Sequence, residues 1–231
     1  MFKVYIIGIG PGSQDYLLPI AKREIEQADC LIGAPRALSL FQNLNKEKIE
    51  MSVHSMDISH TNCSNSTVCC HYNSEKAIAY IKENMLKKKI AVLVSGDPGL
   101  YSFMHKLSKI LKKEEYEVIP GISSLQLGFA RIGESWHDAK IISLHGRKAN
   151  NMAEEVKANP KVFLLVDSSF PADKIAGKLL SEGVDNRRAV VLENLSYPDE
   201  RVVDTNLKDL SNMKGFSLCA LIILKNSTES A

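Results

Sequence analysis

The stretch Lys3-Val4-Tyr5-Ile6-Ile7-Gly8-Ile9-Gly10-Pro11-Gly12 sets the reading of the fold. From Val4 to Ile9 the residues are apolar and mostly β-branched, with no polar alternation, as in a strand buried on both faces of a parallel sheet. The run breaks at Gly10-Pro11-Gly12. Leu17, Leu18, Ala21, Ile25 and Ala28 then fall at helical spacing, before a short apolar run Cys30-Leu31-Ile32 and the turn-like Gly33-Ala34-Pro35. This predicts strand, helix, strand.

Working outward, the pattern recurs. A helix is expected around residues 75–86, strands over 90–94 and 116–119, a helix after Gly99 and another opening near Ser123. Further strands are expected over 140–144, 161–166, 189–193 and 217–224, with helical stretches between them. Such alternation predicts α/β architecture, with ligands beyond the carboxyl ends of the strands. A boundary near Pro120 gives expected domains of 1–120 and 121–231.

The composition sets limits. With 231 residues, 45% hydrophobic and 24% charged, the chain can bury one large core or two modest ones. The apolar run at the amino terminus is too short for a signal sequence, and no stretch approaches the ~20 apolar residues of a membrane span. A cytoplasmic protein is expected, and the N-x-S/T matches at Asn62 and Asn65 are read as chance. A formal charge of +2 argues against nucleic acid, but leaves room for an anionic small molecule held by a local group of basic side chains. Five cysteines (Cys30, Cys63, Cys69, Cys70 and Cys219) in a reducing compartment predict no disulfide framework.

Residues 54–73 are polar and aperiodic and gather three histidines with three cysteines. Their spacing is not that of a zinc module, and adjacent Cys69-Cys70-His71 cannot easily share one tetrahedral ion. An exposed insertion without metal is the expectation.

A dinucleotide fold is the first competitor for the glycine loop. It lacks the third glycine, where Ser13 stands, and Pro11 removes an amide that a pyrophosphate would need. Asp29 precedes the second strand instead of ending it. Later segments are more specific. Ser95-Gly96-Asp97-Pro98-Gly99-Leu100-Tyr101 follows a strand, and Pro98 stiffens a turn in which the Gly96 backbone can approach a ligand. Asp97 can contact that ligand or cap the next helix. Pro120-Gly121-Ile122-Ser123-Ser124 places two hydroxyls at a helix start.

Taken in order, Gly8-x-Gly10-Pro11-Gly12 with the Leu17-Leu18 helix, the Gly-Asp-Pro loop and the Pro-Gly-x-Ser-Ser segment resemble the tetrapyrrole methylase family. The resemblance covers nearly the whole chain; Leu18-Pro19 departs from the Leu-Thr of many relatives. It implies two α/β domains with S-adenosylmethionine in the cleft between them, and a homodimer. Gly10, Pro11, Gly96, Asp97, Leu100, Tyr101, Ser123 and Ser124 become the expected cofactor contacts.

The following run, Ala130-Arg131-Ile132-Gly133, Trp136-His137-Asp138 and Ser143-Leu144-His145-Gly146-Arg147, looks like the branch of the family that methylates C5 of cobalt-precorrin-7. The expected substrate contacts are Arg131, Trp136, His145 and Arg147. An indole can stack on a flat macrocycle or pack in a core, and an arginine can grip a ring carboxylate through two parallel hydrogen bonds. His145 is also the candidate for receiving a proton or polarising the ring. The chain's length suggests a stand-alone C5 enzyme with a separate C15-methyltransferase/decarboxylase as partner, the cobalt entering with the substrate and no metal held by the protein. Diphthine synthase, another precorrin methylase and, more remotely, a nucleotide-binding oxidoreductase or a metal-handling module are the alternatives.

Overall fold

The structure, a computed structural model, describes residues 3–51, 70–144, 151–166, 170–217 and 219–226. The chain divides into two compact units, Met1–Ser123 and Ser124–Ala231.

In the first unit the order is β1 (Val4–Gly8), α1 (Pro19–Gln27), β2 (Cys30–Gly33), α2 (Pro35–Ser39), β3 (Glu47–Met51), β4 (Cys70–Tyr72), α3 (Ser74–Asn84), β5 (Ile90–Val94), α4 (Met104–Leu107) and β6 (Tyr116–Ile119). The strands form one sheet in the order β4-β3-β2-β5-β1-β6. Every pairing in it is parallel. Alternate side chains of β1 and β5 enter different cores, as the two-residue period of a strand requires. Val4, Ile6, Ile90, Val92 and Val94 pack with Ala77 and Ile81 of α3 and Leu107 of α4. Ile7, Ala91 and Leu93 pack with Ala21 and Ile25 of α1 and with Ala37 and Leu38 of α2. Helices therefore cover both faces, and the central strands read as continuous apolar runs for that reason.

α1 begins on Pro19, whose missing amide costs nothing at a first helical position, and its N-cap Leu18 makes no side-chain cap. The departure from Leu-Thr thus places a preset φ at the first helical position, where the hydroxyl would have stood. Two expectations need correction here. The segment 54–73 is not wholly irregular, because Cys70–Tyr72 forms the edge strand β4 against Ile49–Met51; residues 52–69 lie outside the described residues. β3 was not anticipated either. Its sequence Glu-Lys-Ile-Glu-Met has no apolar run, since it stands beside the sheet edge and is only half-buried.

The second unit contains α5 (Ser124–Arg131), β7 (Lys140–Ser143), α6 (Met152–Ala158), β8 (Lys161–Leu165), α7 (Ala172–Ser181), β9 (Arg188–Glu193), β10 (Arg201–Asn206), α8 (Leu207–Leu210) and β11 (Cys219–Leu224). Its sheet runs β10-β9-β11-β8-β7 and is mixed. Only β7 and β8 pair in parallel; β11 is antiparallel to β8 and β9, and β10 to β9. One face is covered by α6, α7 and α8, whose Val156, Ile175, Leu179 and Leu207 pack on Val162, Leu164, Val191 and Leu221. On the other, a Cβ on Gly128 of α5 would meet Leu192 at 2.4 Å, so the absence of a side chain lets the helix lie close against β9. Phe129 of α5 stacks at 6.3 Å, tilted, on Phe163.

Among the described residues no helix is long and apolar enough to cross a membrane. No group of three or more His, Cys, Asp or Glu side chains there could hold a metal ion. Cys30 and Cys219 are buried, and burial first, with nearby carboxylates second, pushes their thiols up to about 12 and about 11.

Candidate functional site

In the first sheet β1 and β5 are neighbours, yet the chain leaves β1 for α1 on one face and β5 for α4 on the other. Such a reversal at the carboxyl ends of neighbouring strands marks the place where open α/β sheets receive ligands in a crevice. The three motif segments end β1, β5 and β6 and so meet there. Gly10 and Gly96 form an isolated bridge, with Gly96 N donating to Gly10 O at 2.8 Å. Both take left-handed φ, +80° and +69°, a conformation that favours glycine.

The approach of the backbones is closer still at Gly8 and Gly121. A Cβ on Gly121 would meet Gly96 O at 2.3 Å and Gly8 C at 2.8 Å; one on Gly8 would meet Gly96 O at 2.6 Å. Three loops are therefore in main-chain contact at this end of the sheet.

Asp97 joins two of these loops. Its Oδ1 accepts from Gly99 N at 2.7 Å and its Oδ2 from Gly121 N at 3.1 Å. It does not cap the next helix: α4 begins at Met104, and its N-cap Phe103 makes no side-chain cap. A carboxylate offers about four acceptor positions, so two remain for a ligand. Leu100 N donates to Asp97 O at 3.1 Å, which closes the turn, and Tyr101 follows with φ 48° and its side chain exposed. A non-glycine residue in that region stores strain, a feature that gathers at ligand sites. Ser123 is buried at 4% exposure and Ser124 opens α5.

In the second unit the structure separates residues that are close in sequence. Trp136 is 44% exposed, so it is not a core residue, and it lies before β7. Its loop is held at the amino end of β8, where Lys161 Nζ donates to Ser135 O at 2.6 Å. His145 and Arg147 follow the carboxyl end of β7 and lie outside the described residues. Arg131 is engaged: Nε and Nη2 donate to Glu200 at 2.5 and 3.1 Å.

Glu200 and Glu193 were not anticipated. Pairing with Arg131 holds the Glu200 carboxyl below its ordinary value, against burial and helped by the Ser196 amide. Burial alone would raise Glu193, but the Ser217 amide and hydroxyl and the Arg201 guanidinium outweigh it and leave that carboxyl low too. The two glutamates flank a loop in which Asn194 and Ser196 adopt φ of 48° and 69°. No local pattern could reveal the Arg131–Glu200 pair, which spans 69 residues.

The sequence pattern of the tetrapyrrole (corrin/porphyrin) methylases matches residues 3–211. A probable cobalt-precorrin-7 C(5)-methyltransferase of Methanocaldococcus jannaschii is 34% identical over 90% of this chain and 92% of its own length. The cobalt-precorrin-7 C(5)-methyltransferase of Salmonella typhimurium is 28% identical over 85% and 87%. Among solved structures, the uroporphyrin-III C-methyltransferase of Thermus thermophilus complexed with S-adenosyl homocysteine shares the fold. It matches with a TM-score of 0.71 at 20% identity over 96% of this chain and 91% of that one. With the family pattern and a 34% identical relative both spanning nearly all of it, the chain belongs to the tetrapyrrole methylases.

Proposed function

We propose that this chain transfers the methyl group of S-adenosylmethionine to C5 of cobalt-precorrin-7 in cobalamin biosynthesis. The observation that carries this reading is the 34% identity to a probable C5 enzyme along almost the full length of both chains. S-adenosylmethionine supplies a methyl already activated on a sulfonium, so the protein has to align donor and ring and exclude water.

The switch-point crevice suits the donor. Its glycine walls leave peptide N–H and C=O groups free of intervening side chains, and the spare acceptor positions of Asp97 can take an ammonium or hydroxyl donor. In this proposal Gly10, Pro11, Gly96, Asp97, Leu100, Tyr101, Ser123 and Ser124 contact the donor. Arg147 grips a ring carboxylate, and His145 holds a second one or moves a proton. Arg131 and Trp136 carry less of the substrate reading, because Glu200 already occupies the Arg131 guanidinium and Trp136 lies at the amino end of the strands. A homodimer, a cytoplasmic location and a separate C15-methyltransferase/decarboxylase as the next enzyme belong to the same proposal.

The test is incubation of the purified chain with methyl-labelled donor and cobalt-precorrin-7, the product being read by carbon NMR. A single labelled methyl at C5 is expected. Transfer to another ring position, or to a protein acceptor and not to the tetrapyrrole, overturns the assignment.

A further inference from the structure

A cavity of about 350 Å3 opens in the second unit, bordered by Glu134, Lys161, Arg188, Lys225 and Asn226. Register explains its chemistry. Lys161, the first residue of β8, and Arg188, the first of β9, both stand opposite Leu224 of β11, which lies between them. Residues opposite one another share a face, so the two cations flank Leu224 on one side of the sheet, about 10 Å apart from backbone to backbone. It is the α5 face, where Lys161 Nζ lies 5.9 Å from the Phe129 ring centroid. Lys225 adds a third cation at the end of β11.

Glu134, just past α5, reaches between the two strands. One carboxylate oxygen is 3.6 Å from Lys161 Nζ and the other 3.8 Å from Arg188 Nη1. Both distances exceed a hydrogen bond. The firm ties of these cations point elsewhere: Arg188 gives Nε and Nη2 to Asp204 at 3.0 and 2.7 Å, and Lys161 pairs with Asp138 at 3.2 Å. Glu134 is thus a loosely held internal anion bridging two cations across a cavity of ligand size.

We propose that this cavity binds a small oxyanion, a phosphate or carboxylate group, which displaces Glu134 from between Lys161 and Arg188 and gains Lys225. The binding is reversible and non-covalent, and it does not depend on the methyl-transfer reading. Occupancy links the starts of β8 and β9 and therefore stabilises the second unit.

Trp136, the chain's one tryptophan, lies two residues from Glu134 and reports on the site. The intact chain is titrated with inorganic phosphate and, separately, with succinate at constant ionic strength, chloride serving as the control. Tryptophan emission and calorimetric heat are both read. Saturable binding that chloride does not mimic is expected, and the preferred anion distinguishes the two sources. Glu134→Gln removes the internal competitor and should bind about five-fold tighter, while Lys225→Met should bind about five-fold weaker. Lys225 is exposed, so that variant does not threaten folding. No saturation by either readout, or Glu134→Gln binding no tighter than the parent, overturns the proposal.

Discussion

The carboxyl end of the first sheet and the loop after β9 in the second unit are both tied by hydrogen bonds, but between different groups. In the first, Gly8, Gly10, Gly96 and Gly121 bring main chain against main chain, and Asp97 is the side chain that bonds two of the amides. In the second, Arg131–Glu200 and Arg201–Glu193 hold the loop through side chains, with Ser196 and Ser217 donating their amides to the same two glutamates. Close backbone contact admits almost no substitution, so it writes itself into the sequence as glycine at fixed spacing. An ion pair needs two long side chains that can come from anywhere in the chain. At 69 residues' separation, Arg131–Glu200 leaves no local trace.

The sharpest way to break this contrast is Gly121→Ala. The added carbon falls 2.3 Å from Gly96 O, a backbone atom that cannot swing aside, so the variant should lose about 3 kcal/mol or more of stability, or fail to fold. Urea unfolding of parent and variant measures it, and a loss under 1 kcal/mol would show that the three loops separate easily.

Asp97→Ala tests whether the same crevice holds the donor. Removing a charged acceptor from two amides and from the ligand should weaken S-adenosylhomocysteine binding by about 1–3 kcal/mol. Calorimetry compares the two proteins. Unchanged affinity with lowered thermal stability would confine Asp97 to tying the Gly99 and Gly121 amides.

Glu200→Gln addresses the second region. The folded carboxyl lies below its ordinary value of 4.5, chiefly through Arg131, so the unfolded chain binds the proton more readily. The pair's contribution is present above about pH 4.5 and is lost as pH falls through the lower folded value. The variant should lose about 1 kcal/mol at neutral pH and show a shallower decline in stability on acidification. Parallel acid profiles for parent and variant would mean that Arg131 gains nothing from Glu200.

The smallest effect should come from a glycine outside both regions. Gly177 lies inside α7, and a Cβ there meets nothing within 4 Å. Gly177→Ala should therefore stabilise the protein by about 0.5–1 kcal/mol. Thermal melting that instead shows a loss would mean this glycine, like Gly121, is needed.

The sequence by itself determined the central strands, the helix-strand alternation of the first unit and the place of its glycine loops. The limits of β5 follow from an apolar run bounded by Lys89 and Ser95. Burial on both faces demands such runs, and tight turns demand glycine and proline. β3 and β10 were not legible, because Glu-Lys-Ile-Glu-Met and Arg-Val-Val-Asp-Thr-Asn carry the mixed polarity of half-exposed strands. Only the tertiary structure decided that the second sheet is mixed, since a strand's own residues do not record the direction of its neighbour. It also decided that Asp97 ties two loops instead of capping a helix, and that Glu200 arrives beside Arg131. Each of these depends on which distant backbone arrives beside a residue, and that is set by the packing of the sheet as a whole.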